Sequence, residues 1–179
     1  MKKILYVLIA ILLFTGCENL SNTPTKKTEA FLKRYQTLDN EVINDLDNVV
    51  ASNTTMNDVQ KEEYSKIMKK HYQNLVYEVK DEVINGDEAI VSVEITVTDF
   101  NKVMDEASNY LALNIGEFND ENGQYDYSKY MDYQLSQMKD TKEKVKYTIN
   151  IRLTKVDDEW TINELNQTTY DKINGIYNY

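Results

Sequence analysis

Apolar positions follow three different rhythms along this chain. From Ile4 to Phe14 they run unbroken, after Met1-Lys2-Lys3 and before the small residues Thr15 and Gly16. A basic start, an apolar core and small residues at a cleavage point form a secretory signal. Eleven apolar residues are too few for a membrane-spanning helix, which needs about 20. Residues 1–16 are therefore expected to be removed. Residues 17–24 are polar and aperiodic, and read as a flexible tether of roughly 25 Å at full stretch. One domain is expected over residues 25–179.

A helical rhythm follows. Phe31, Tyr35, Leu38, Val42, Leu46 and Val49 recur every three or four residues, which predicts one buried stripe about seven turns long. Thr25 or Thr28 is the expected cap, with Pro24 just outside it. After Asn53-Thr54-Thr55 a second helix is predicted from about Asn57, with Tyr64, Ile67, Met68, His71 and Leu75 on one face.

The period then becomes two. Leu75, Tyr77, Val79, Asp81 and Val83 share one face, Asn85-Gly86 is a hairpin turn, and Ala89, Val91, Val93, Ile95 and Val97 line the dry face of the returning strand. Helical spacing resumes through Phe100, Val103, Met104, Ala107 and Leu111, and again, after a polar loop over 117–126, through Tyr127, Tyr130, Met131, Leu135 and Met138. A second hairpin follows, with Val145, Tyr147, Ile149, Ile151 and Leu153 inward and Trp160 to Leu165 returning. A short last helix from about Thr168 buries Ile173 and Ile176. Helices segregated from hairpins predict an α+β domain. Its antiparallel sheet of two hairpins packs on the N-terminal helices, with a helical insertion at about 100–143.

Phe14-Thr15-Gly16-Cys17 resembles the lipobox of bacterial lipoproteins, with Phe14 where leucine is usual. The resemblance implies cleavage before Cys17 and a diacylglyceryl thioether on it, hence a membrane anchor on the extracytoplasmic face. Two acyl chains suffice for stable attachment where one is marginal. Pro24 to Leu32, Tyr72 to Val79, Asn85 to Val93 and Asp158 to Ile162 resemble the opening helix, first hairpin and closing strand of secreted NTF2-like (cystatin-like) domains. Such domains occur on small lipoproteins of low-GC Gram-positive bacteria. The resemblance spans roughly residues 24–100 and 144–165 and implies a pocket between sheet and helices. The segment 100–143 departs from it. No functional residue carries over, because one fold hosts many activities.

Composition narrows the chemistry. Cys17 is the only cysteine, so no disulfide forms within the chain and packing alone must hold the domain. The formal charge is −10, and loss of residues 1–16, which carry Lys2 and Lys3 and no acid, takes it to −12. So acidic a chain is a poor nucleic-acid binder, since phosphate contacts require clustered Lys and Arg. An anionic bilayer would repel the domain that it anchors. With one histidine and one cysteine, a His- or Cys-based zinc site is excluded within one chain. No cofactor is expected.

His71 lies on an apolar helix face, and Asp81 and Glu164 fall in phase with apolar strand positions. Carboxylates on a dry face can project into a cavity. His71, Asp81 and Glu164, with the inward-facing Tyr77 and Tyr147, are therefore the candidate pocket. The loop from Asn119 to Asp126 fails as an EF-hand, because aligning Gly123 puts Phe118 and Lys129 where acids are required. Tyr125, Tyr127, Tyr130 and Tyr133 cluster beside it and make 117–133 a candidate contact surface. The expected function is a lipid-tethered, non-catalytic module binding a small molecule, a peptide or an envelope protein. The alternatives are acid–base catalysis by His71 with Asp81 or Glu164, and a structural envelope part.

Overall fold

The sheet is built from strands β1 (Val76–Asn85), β2 (Glu88–Thr98), β3 (Lys144–Val156) and β4 (Glu159–Ile162), antiparallel and in the order β1-β2-β3-β4. Helices α1 (Pro24–Thr37), α2 (Asn40–Ser52) and α3 (Asp58–Gln73) precede it, α4 (Phe100–Leu113) and α5 (Tyr127–Asp140) join its two hairpins, and α6 (Gln167–Ile173) closes the chain. This computed structural model describes residues 21–178; the signal and Cys17 lie outside the described residues. The α+β class holds, with helices on one face of a four-stranded antiparallel sheet. Among the described residues no helix is long and apolar enough to cross a membrane.

The dry face follows the predicted alternation. Val91, Val93, Ile95 and Val97 on β2 and Ile149, Ile151 and Leu153 on β3 are almost wholly buried, together with Phe31, Leu32 and Tyr35 of α1 and Ile67, Met68 and Tyr72 of α3. Each such side chain contributes about 1.5–3 kcal/mol. The opposite face is wet: Glu94 sits between Lys146 at 2.8 Å and Lys80 at 3.7 Å. Helices α4 and α5 are joined by a stacked Tyr110–Tyr133 pair and by Phe118, which meets Tyr110, Tyr130 and Tyr133 edge-on. Gln60 bolts this pair to α3, its amide donating to Asp132 Oδ1 at 2.8 Å and to Ser128 Oγ at 2.9 Å.

Four expectations are corrected. The single seven-turn helix is two helices. Leu38 turns left-handed (φ 53°), its amide and that of Asp39 return to Tyr35 and Arg34, and Asp39 then caps α2 by accepting from the Glu41 amide at 3.0 Å. An Arg34–Glu41 ion pair braces the corner. The cap of α1 is Thr23, with Pro24 inside the helix at its favoured first position.

The third correction concerns the tether. Asn22 already belongs to the domain, donating to Asp158 O at 2.7 Å and accepting from the Trp160 amide at 3.0 Å. The fourth is a bulge at Lys80. Val79 pairs with Val93 but Asp81 pairs with Ser92, so the alternation slips by one residue. Glu82 and Ile84 then take the side that Asp81 and Val83 were expected to share with Tyr77.

Both hairpin turns lie at one end of the sheet, because Glu88 at the start of β2 pairs with Thr154 near the end of β3. Asn22 docks on the β3–β4 turn, at this same end. The other end is where Thr98 pairs with Lys144. Eleven residues of β2 separate the two ends, roughly 33 Å at about 3.3 Å per residue.

Candidate functional site

At the Thr98–Lys144 end the chain leaves β2 for α4 and returns from α5 into β3. The gap between that corner and α3 is a cavity of about 380 Å³. From α3 come Glu63, Lys66, Ile67, Lys70 and His71, with Asn74 at its C-cap, the three- and four-residue spacing of one helix face. Phe100 enters from α4 and Met138 and Lys139 from α5, while Thr141, Lys142 and Lys144 come from the link into β3. The insertion at 100–143, which departs from the resembled domain, thus builds a wall of the cavity. Ile67, Phe100, Met138 and His71 are buried and form its floor. Its volume falls in the range of small-molecule sites.

The rim carries five lysines in an acidic chain. Lys66 pairs with Glu62 at 2.6 Å and Lys139 with Glu63 at 2.7 Å. Lys70, Lys142 and Lys144 have no carboxylate partner among the described residues. Lys144 instead donates to Thr98 Oγ1 at 3.0 Å. Partial burial, and then the charge of Lys70, pulls the Lys144 pKa below its usual value. Ammonium groups therefore converge here with no counter-charge of their own.

His71 is 3% exposed and neutral in character. Its Nε2 is 2.8 Å from the Ile173 carbonyl, and its ring lies 4.9 Å from that of Phe100. A carbonyl only accepts, so Nε2 carries the proton and Nδ1 keeps a lone pair. That Nδ1 is covered and has no hydrogen-bond partner. Burial, against the opposing Ile173 hydrogen bond and with a smaller contribution from the Lys144 charge, lowers the pKa from 6.5 to about 4. A sealed lone pair cannot reach a substrate proton in this geometry. The ring serves as wall.

The other candidate residues are not brought to His71. Asp81 is exposed on the wet side of the bulge and accepts from the Glu82 amide at 2.9 Å. Glu164 lies past the end of β4, in a separate depression with Phe31, Arg34 and Tyr35. Tyr77 is half-buried opposite Ile95. Tyr147 is buried, its hydroxyl donating to Tyr177 O at 3.1 Å. None of the four lines the cavity. In the 119–126 loop, Asp120 is engaged within its own turn, accepting from the amides of Asn122 and Gln124 at 2.8 and 2.9 Å.

Sequence reasoning missed the lysines. Lys69-Lys70-His71 and the run Lys139, Lys142, Lys144, Lys146 stand out in a chain of net charge −10. They were legible as two basic clusters. That Lys70, Lys139, Lys142 and Lys144 among them face one cavity depends on α5 returning beside α3.

Fold and site define an α+β domain with a cation-rimmed cavity of small-molecule size. Among known proteins, the chain matches no family model and no curated sequence. Among solved structures it is similar to ycdA of Bacillus subtilis, a protein provisionally described as a lipoprotein, at 15% identity and a TM-score of 0.43. The match covers 96% of this chain and 54% of that one, so the chain spans about half the length of that protein.

Proposed function

We propose that the chain is the precursor of a bacterial lipoprotein, anchored through Cys17 on the extracytoplasmic face, whose domain is a non-catalytic binding module. The anchor reading rests on the signal pattern of residues 1–16 and the lipobox-like Phe14 to Cys17. Helices laid on one face of an antiparallel meander support placing the domain with the NTF2-like group.

The binding reading rests on one observation, the cavity of about 380 Å³ on whose rim Lys70, Lys142 and Lys144 have no carboxylate partner among the described residues. The His71 lone pair is sealed, and Glu63, the one carboxylate lining the cavity, is held by Lys139 at 2.7 Å, which favours holding a ligand over transforming one. The anchor is tested by Cys17→Ser, which should move the protein from the membrane fraction to the soluble exported fraction. Continued membrane retention would sink it. Binding is tested on the imidazole ¹⁵N resonances of His71, the only histidine, during a screen of small molecules. A set of ligands that stabilises the domain without moving those resonances would place binding elsewhere.

A further inference from the structure

The cavity has the wrong charge for its protein. The chain carries 30 acidic and 20 basic residues, yet the cavity is lined by five lysines and one glutamate, and that glutamate already pairs with Lys139. Beneath the lysines lie Ile67, Phe100, Met138 and the ring face of a neutral histidine. Lysine stems extend such an apolar wall upward while keeping their ammonium groups at the rim. An occupant that satisfies both layers has an apolar body and a single anionic end. A purely apolar guest would leave Lys70, Lys142 and Lys144 unneutralised, and a small inorganic anion would leave the floor empty.

We propose that the cavity takes a single-chain anionic amphiphile, a fatty carboxylate in its simplest form, drawn from outside the membrane rather than from the bilayer that holds the anchor. Volume and position carry the two halves of this assignment. At about 380 Å³ the cavity is at the small end of ligand sites, suited to one chain and its head and not to a diacyl lipid. Its position rests on the anchored reading of Cys17. Asn22 is only five positions after Cys17, at most about 18 Å of extended chain. Asn22 is fixed to the β3–β4 turn, so the anchor holds the turn end of the sheet near the bilayer. The cavity lies at the opposite end, roughly 33 Å away along β2. An anion seated there would also offset the repulsion from Lys70 that, after burial, helps hold the Lys144 pKa below its usual value.

The test uses the chain from residue 17 carrying Cys17→Ser, so that neither its own lipid nor a detergent competes. It is titrated by calorimetry and by the His71 imidazole resonances with decanoate, decan-1-ol and decyltrimethylammonium, each below its micelle-forming concentration. Decanoate should bind at least about tenfold more tightly than the alcohol, and the cation more weakly than both. Replacing Lys70, Lys142 and Lys144 by Gln should remove that preference and bring decanoate and decan-1-ol to equal affinity. Lys142→Gln alone should reduce it, and Lys146→Gln, a control on the wet face, should do nothing. Equal binding of acid and alcohol would overturn the anionic class while leaving a ligand cavity in place. No binding of any of the three, with His71 unmoved, would overturn the cavity reading itself. Capture of phosphatidylglycerol vesicles as tight as capture of free decanoate would overturn the external source.

Discussion

His71 is a residue whose charge state is set by what it packs against. Its Nε2–H is satisfied by Ile173 and its Nδ1 faces no partner, so a second proton would be a buried donor without an acceptor. The folded-state pKa of about 4 lies below the unfolded value of 6.5. Protons therefore bind the unfolded chain first. The stabilisation is complete above pH 6.5 and is lost as pH falls toward 4, by about 3 kcal/mol in total. His71→Gln retains a donor for Ile173 but does not titrate. Denaturant unfolding at pH 7 and pH 4 should show the wild type losing about 3 kcal/mol more than this variant. Equal losses would show that His71 protonates freely. The residue was legible from the sequence as a lone histidine on an apolar face; its sealed lone pair was not, because Phe100 and Ile173 come from distant segments.

At the scale of elements, one glycine and one bulge decide how the parts meet. Gly175 follows α6 with φ +70°, and a Cβ there would fall 2.0 Å from the Thr98 carbonyl oxygen and 3.1 Å from His71 Cε1. Its own carbonyl accepts from the Asn101 amide at 2.9 Å. Gly175→Ala should cost about 2 kcal/mol or more and displace the His71 imidazole resonances, both readable in one NMR-monitored melt. The bulge at Lys80 places Glu82 against the start of α1, where its carboxylate accepts from the Thr25 amide at 2.8 Å and hydroxyl at 2.7 Å. A carboxylate at a helix N-terminus is favourable. Deleting Lys80 removes the extra residue and leaves Val79 to pair with Val93 and Asp81 with Ser92. The deletion should fold with the Glu82–Thr25 contact intact, seen in backbone amide shifts. Loss of that contact would show that β1 follows the plain alternation of its sequence. The alternation Tyr77, Val79, Asp81, Val83 pointed the other way because a bulge leaves no mark on hydrophobic period.

For the whole molecule, the decisive feature is that Asn22, through which the proposed anchor would hold the domain, and the cavity are at opposite ends of one sheet. With Cys17 lipidated, a single introduced cysteine is the only free thiol. A fluorophore at Asp158→Cys, in the turn that holds Asn22, should be quenched strongly by a bilayer-embedded acceptor. A fluorophore at Lys142→Cys should be quenched weakly, by a separation of roughly 30 Å more. Equal quenching would show the domain lying flat on the membrane. The acidic net charge acts in the same sense, since an anionic bilayer repels it.

By itself the sequence determined the α+β class and most residues of the dry face, and it carries the pattern on which the proposed signal and anchor at Cys17 rest. These depend on local period and composition, which neighbouring residues set without help from the rest of the chain. Tertiary structure alone decided the break at Leu38, the slip at Lys80 and the dispersal of His71, Asp81 and Glu164. It also decided the meeting of Lys70, Lys142 and Lys144 over Ile67, Phe100 and Met138. Sites assembled from α3, α4, α5 and β3 arise from packing between segments up to 81 residues apart, from Glu63 to Lys144. No periodicity along a single element encodes which of its charged residues another element will approach.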